Sequence, residues 1–120
     1  MKYTRLYADS NGETHFEDVE VVFHDGKVVP EAQRTGLSIP QPLSDSLFVE
    51  VYNVYSVDFH PTPRKQWFVP LSWVGEFGTS DGETRRFKSG DVILVEDMAS
   101  KGHTTRHLEP GTTMLVGLEE

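Results

Sequence analysis

Two histidines, a glutamine and a glycine–aspartate turn carry the chemistry available to this chain. His60 opens the stretch His60-Pro-Thr-Pro-Arg-Lys-Gln66. Gly90-Asp91 leads into the apolar run Val92–Val95, and His103 and His107 follow. A neutral imidazole offers one lone pair, to a proton or to a divalent ion, and a glutamine amide offers a carbonyl oxygen without charge. Carried on short apolar segments, these groups suggest a polar cluster in the mouth of a small β-barrel. Asp58 precedes His60 by two residues, about 7 Å away on one face of an extended strand, so its carboxylate is placed to orient the imidazole for proton transfer. His107 follows His103 by four residues, about 13 Å along a strand, which is too far for both to hold one ion. Arg64 has the fork that clamps a carboxylate, but beside Lys65 it reads first as a solvated charge. Glu96-Asp97 reads as a solvated strand end, and Trp67 and Trp73 as core or interface. His15 and His24 fall near an N-terminal hairpin, with no assigned place relative to the pocket.

The elements that must hold this cluster are strands. Val19, Val21 and Phe23 alternate with other residues ahead of Asp25-Gly26, a dipeptide that suits a hairpin turn. Residues 47–59 are dense in β-branched and aromatic types, and their length predicts two strands broken near Asn53 or Ser56. Further strands are expected at 66–72, from Glu83 to Phe87, at 92–95 and at 112–118, separated by turns at Ser80-Asp81-Gly82, Lys88-Ser89-Gly90-Asp91 and Pro110-Gly111. Residues 30–46, with Pro30, Pro40 and Pro42, read as a long connection with at most one short strand or helical turn. No segment carries a helical stripe. Short strands at close spacing predict an all-β sandwich or barrel, in one domain over residues 1–120.

In 66–72 both faces are apolar, with Trp67, Val69 and Leu71 on one and Phe68 and Pro70 on the other. All four residues of 92–95 are apolar as well. A strand with one face in water should alternate. The outside must therefore be covered, by N-terminal strands of the same chain or by a partner, and a homodimer is the expectation.

The 120 residues carry a net charge of −8 with 11 scattered basic residues, which disfavours a nucleic-acid partner. With no cysteine, disulfides and thiolate metal sites are excluded. The N-terminus lacks an apolar signal core and no run is long enough for a membrane span, so a cytoplasmic location is expected and a membrane partner is not.

The order of elements over residues 47–118 resembles the cupin superfamily, and 81–97 is similar to small single-domain bacterial cupins. Laid on the first cupin motif, His60 takes the first histidine position, Thr62 the second, Gln66 the glutamate position and Trp73 the glycine position, with Gly75 two residues on. In the second motif Gly90-Asp91 and Val92–Val95 match. His103 matches with two extra residues in the preceding loop, Glu96 stands for the usual proline and His107 for the asparagine. The resemblance implies a jelly-roll β-barrel, the double-stranded β-helix, enclosing a ligand pocket lined by His60, Gln66, Phe68 and His103. It also implies a divalent metal (iron, manganese, nickel or zinc) on His60, Gln66 and His103, a set that lacks the family's carboxylate and two-histidine pair. Three functions follow as expectations: a small-molecule-binding protein, favoured by the depleted ligand set; a metal-dependent oxygenase or isomerase acting on a small acid or sugar; and a metal-free epimerase-like enzyme using His60 and Asp58.

Overall fold

A computed structural model describes residues 1–119. Twelve strands and, among the described residues, no helix make up the fold. They are β1 (Lys2–Ala8), β2 (Thr14–Glu20), β3 (His24–Gly26), β4 (Thr35–Leu37), β5 (Leu43–Val51), β6 (Tyr55–His60), β7 (Gln66–Pro70), β8 (Val74–Thr79), β9 (Thr84–Phe87), β10 (Ile93–Val95), β11 (His103–Glu109) and β12 (Gly111–Leu118). No helix among the described residues is long and apolar enough to cross a membrane.

One sheet has six strands in the order β2-β1-β10-β7-β12-β5, a second has four in the order β6-β11-β8-β9, and β3 pairs only with β4. Among the described residues only β1 and β10 run parallel. Neither large sheet closes on itself into a barrel, in contrast to the closed wall expected from the sequence. They instead share one core. Leu6, Phe16, Val51, Ile93 and Val95 come from the six-stranded sheet, and Phe77 and Phe87, with Trp73 just ahead of β8, from the four-stranded one. Phe68 crosses the gap, with its ring centroid 5.0 Å from Trp73 and 5.1 Å from Phe77, both edge to face. That arrangement sets the positive ring edge against the negative face and adds to the burial energy.

The turns are built from aspartates and glycines. Asp9 Oδ1 accepts the backbone N–H groups of Asn11 and Glu13, and Asp81 Oδ1 accepts the Glu83 N–H and the Thr79 hydroxyl. A short side chain thus satisfies donors that a tight turn leaves free. Gly82 sits at φ +95°, which a side chain rarely tolerates.

Residues 47–59 do break into two strands, at Tyr52–Val54. Asp25-Gly26, however, lies inside β3, and the alternating segment ahead of it ends as β2 at Glu20. The pairing of β2 with β1 decides that boundary, because the partner strand begins at Lys2. The apolar β10 is a central strand. Ile93 and Val95 face the core, while Leu94, 6% exposed, lies on the outer face between Arg5 and Trp67 of the flanking strands. Trp67 in turn packs against Tyr3 and donates its indole N–H to Gln41 Oε1. Part of the outer face is thus covered by long side chains of its own sheet.

Candidate functional site

The β6–β11 ladder sets His60 opposite His103, and the two rings lie 4.6 Å apart, centroid to centroid. Gly102 makes this approach possible. It stands at φ +80°, and a Cβ there would fall 2.2 Å from the carbonyl carbon of His60. Only glycine lets the two backbones meet at this point. Between the sheets next to the pair lies a cavity of about 280 Å³, lined by His60, Gln66, Phe68, Phe77, His103 and His107 among others. The four residues expected at a pocket are therefore in one place. Among the described residues no Asp, Glu, Lys or Arg is on the cavity wall.

Each imidazole has one nitrogen engaged, and the partner's chemistry assigns the tautomer. His60 Nδ1 lies 2.7 Å from the backbone carbonyl of Asp58. A carbonyl only accepts, so Nδ1 carries the proton and Nε2 of the neutral ring keeps the lone pair. His103 Nδ1 lies 2.6 Å from Asp97 Oδ2, and Asp97 is fully buried, with its other oxygen accepting the N–H of Thr62. The N–H donates to the carboxylate, so Nε2 of a neutral His103 is again the acceptor. His107 is the reverse case. Its Nδ1 accepts the indole N–H of Trp73 at 2.9 Å, so Nε2 must carry the proton. Burial pushes the His107 imidazole below its usual pKa and so favours this neutral form. Among the described residues none of the three Nε2 atoms has a protein partner, and no buried side-chain nitrogen or oxygen is left without one. The Nε2 atoms are therefore not sealed inside protein, and all three histidines border the cavity. The site presents two acceptors, at 60 and 103, and one donor, at 107.

Several expectations change here. The Asp58 carboxylate does not orient His60. It caps its own chain by accepting the Phe59 N–H at 2.8 Å, and its side chain borders a shallow surface depression with Ser56, Thr104 and Arg106. The orienting carboxylate is Asp97, read from sequence as a solvated strand end. It is buried because the loop after β10 folds back so that Ser100 Oγ donates to the Asp97 carbonyl and Gly102 N–H donates to Ser100 Oγ. His107 belongs to the cavity after all. The 13 Å span bars a shared ion but not a shared pocket, and its four-residue spacing on one strand face was the usable signal. Arg64 is engaged by Asp45 and by Gln66 Oε1 and has no free fork for a ligand. Gly75 serves no turn. The Trp73 indole lies across it, where a Cβ would fall 1.9 Å from the ring.

As a metal site the cluster is incomplete. His60 and His103 offer free imidazole nitrogens. The Gln66 oxygen accepts from Arg64 at 3.2 Å, while its amide nitrogen lies 3.4 Å from Thr62 Oγ1. Among the described residues no three His, Asp or Glu side chains are grouped to hold an ion. The pair fits a loosely held divalent ion with water as its remaining ligands, and does not fit a resident catalytic metal.

No protein-family model and no curated protein matches this chain.

Proposed function

We propose that this chain is a jelly-roll protein of the cupin type whose inter-sheet cavity binds a small uncharged molecule. The strand pairing supports the fold. Over β5–β12 the first strand pairs with the last, β6 with β11, β7 with β10 and β8 with β9, the pattern of one long hairpin rolled into two facing sheets. The observation that carries the function is the convergence of three imidazoles, each with one nitrogen held by protein and one left free, in a cavity without fixed charge. Prefixed donors and acceptors on apolar walls are what a small-molecule site requires. A ligand with hydroxyl groups for His60 and His103 and a carbonyl or ether oxygen for His107 satisfies all three, and the aromatic rings of Phe68 and Phe77 pack against its carbon skeleton. A charged ligand would lose its hydration without gaining an ion partner.

A panel of neutral sugars, polyols and hydroxyketones, titrated while the imidazole ¹⁵N signals are followed by NMR, tests this reading. Binding should move the Nε2 signals of His60, His103 and His107 and leave that of His15 in place. A panel that moves none of them, while carboxylates do, sinks it.

A second reading rests on the Asp97–His103 pair. A carboxylate on Nδ1 is the arrangement of a general base, and His107 Nε2–H stands as a donor to a developing enolate oxygen. In this reading His103 takes the proton from the carbon beside a carbonyl and returns it, or one exchanged with water, to the same face of that carbon. Deuterium from heavy water should then enter that carbon of a bound hydroxyketone, and Asp97→Asn should slow the exchange by about 10²-fold or more. Binding without exchange leaves the protein a binder only.

A further inference from the structure

Residues 21–42 form an arm tied to the body at its ends, where the Val21 N–H donates to the Met1 carbonyl and Gln41 accepts from Trp67. They join β2 to β5, and within them β3 and β4 pair only with each other. Five of their large apolar side chains are exposed: Val22 67%, Phe23 48%, Val28 67%, Val29 51% and Ile39 72%. On the outer face of the six-stranded sheet β5 exposes Phe48, paired with Met114 and through it aligned with Val69, and β5 is an edge strand nine residues long. Native proteins seldom leave such an edge open. Beneath the root of the segment, on the outer face of the six-stranded sheet, is a groove of about 600 Å³ bordered by Tyr3, Phe23, Ile39, Trp67 and Val116.

Two whole-molecule quantities measure how far the chain departs from a compact monomer. The radius of gyration is 15.6 Å, against about 13.6 Å for a compact chain of this length. The accessible surface is 7353 Å², about 800 Å² above that of a typical monomer of 13.6 kDa. That surplus equals one partner's share of a standard protein interface, about 800 Å². Charge does not forbid a second copy as the partner. The chain carries −8 overall, so two copies repel. In 21–42 Lys27 and Arg34 balance Asp25 and Glu31. The projecting segment is thus neutral, and it can approach another acidic molecule without that cost.

The geometry points to a homodimer in which the 21–42 arm of each copy lies on the groove and β5 edge of the other. Arm and groove sit on one molecule, so a single twofold axis satisfies both surfaces at once. The apolar outer face of β7, only partly covered by its own sheet, is then closed by the partner's arm. The inter-sheet cavity takes no part, so the fate of this inference and that of the ligand site are separable.

Sedimentation velocity of the full chain at about 50 μM should give twice the 13.6 kDa chain mass, since interfaces of this size span micromolar affinity and tighter. The double substitution Val28→Glu/Val29→Glu, at exposed positions of the arm, should halve that mass. Hydrogen exchange of the unsubstituted chain gives a test independent of any variant: amides of 21–48 should exchange more slowly at high concentration than at low. A 13.6 kDa species at 50 μM, or a dimer that persists in the double variant, or protection that rises in β8–β9 rather than 21–48, overturns the assignment.

Discussion

His103 and His15 each lie against aspartate, yet they serve opposite ends. His15 gives both nitrogens to carboxylates, Nε2 to Asp9 and Nδ1 to Asp81, each at 2.8 Å. Those aspartates already shape the β1–β2 and β8–β9 turns, so the imidazole fastens a corner of one sheet to a corner of the other. Two carboxylates can be satisfied together only by a doubly protonated ring, and the hydrogen bonds to Asp9 and then Asp81 hold His15 above its ordinary pKa. His103 gives one nitrogen to a buried aspartate and keeps the other free beside a cavity. A histidine with both nitrogens consumed is a fastener, and one with a single nitrogen consumed is available for a ligand.

The change expected to break the contrast most severely is Gly102→Ala. It forces a side chain into a left-handed backbone and into the His60 carbonyl, so the His60–His103 pair should separate, with a loss of about 3 kcal/mol or more in chemical denaturation. Asp97→Ala should cost about 2–4 kcal/mol by the same measurement, because it strips a buried acceptor from both His103 and the Thr62 N–H. Asp81→Ala, at the partly exposed fastener, should cost clearly less. Trp73→Phe should cost about 1–3 kcal/mol for lost volume and a lost hydrogen bond. The sharper readout is the tautomer: without the indole N–H, His107 should populate the Nδ1–H form in ¹⁵N spectra.

The smallest effect is the dependence of stability on pH. His15, raised in the fold, stabilises fully below its ordinary value of 6.5, and that contribution is lost as pH climbs through the raised value. Asp9, lowered chiefly by the His15 hydrogen bond, and Asp81, lowered chiefly by Thr79, stabilise above 3.8 and lose their contribution as pH falls through the lowered values. The fastener is complete between those limits. The melting temperature of the unsubstituted chain should therefore decline from pH 6 toward pH 9 relative to His15→Gln. Parallel curves would show that the corner clasp adds nothing.

Much of the strand layout was legible because it is local. The break between Val51 and Tyr55, and strands near 66–70, 84–87, 93–95 and 111–118, follow from β-branched runs cut by Gly, Pro and Asp. β1, in Lys2–Ala8, carries only Leu6 fully buried and gave no such pattern; it is a strand through its pairing with β2 and β10. Within the cavity, His60, Gln66, Phe68 and His103 could be named in advance from residue type and order. Asp97 could not, because a Glu-Asp pair at a strand end is ordinarily solvated, and only the fold-back through Ser100 and Gly102 takes it out of water. Asp58 misled for a related reason. Its spacing to His60 suited a shared face, but its side chain found a nearer donor in Phe59 N–H.

By itself the sequence determined that the chain is all-β, that it has no thiolate chemistry, and which imidazoles are on hand, since strand propensity, turn chemistry and composition act within a few residues. Tertiary structure alone decided which carboxylate faces which imidazole, and which ring nitrogen is left to the cavity. Those choices depend on hydrogen bonds between residues up to 66 positions apart, as between His15 and Asp81, and on backbones that touch only where Gly102 has no side chain. No periodicity along the chain encodes such meetings.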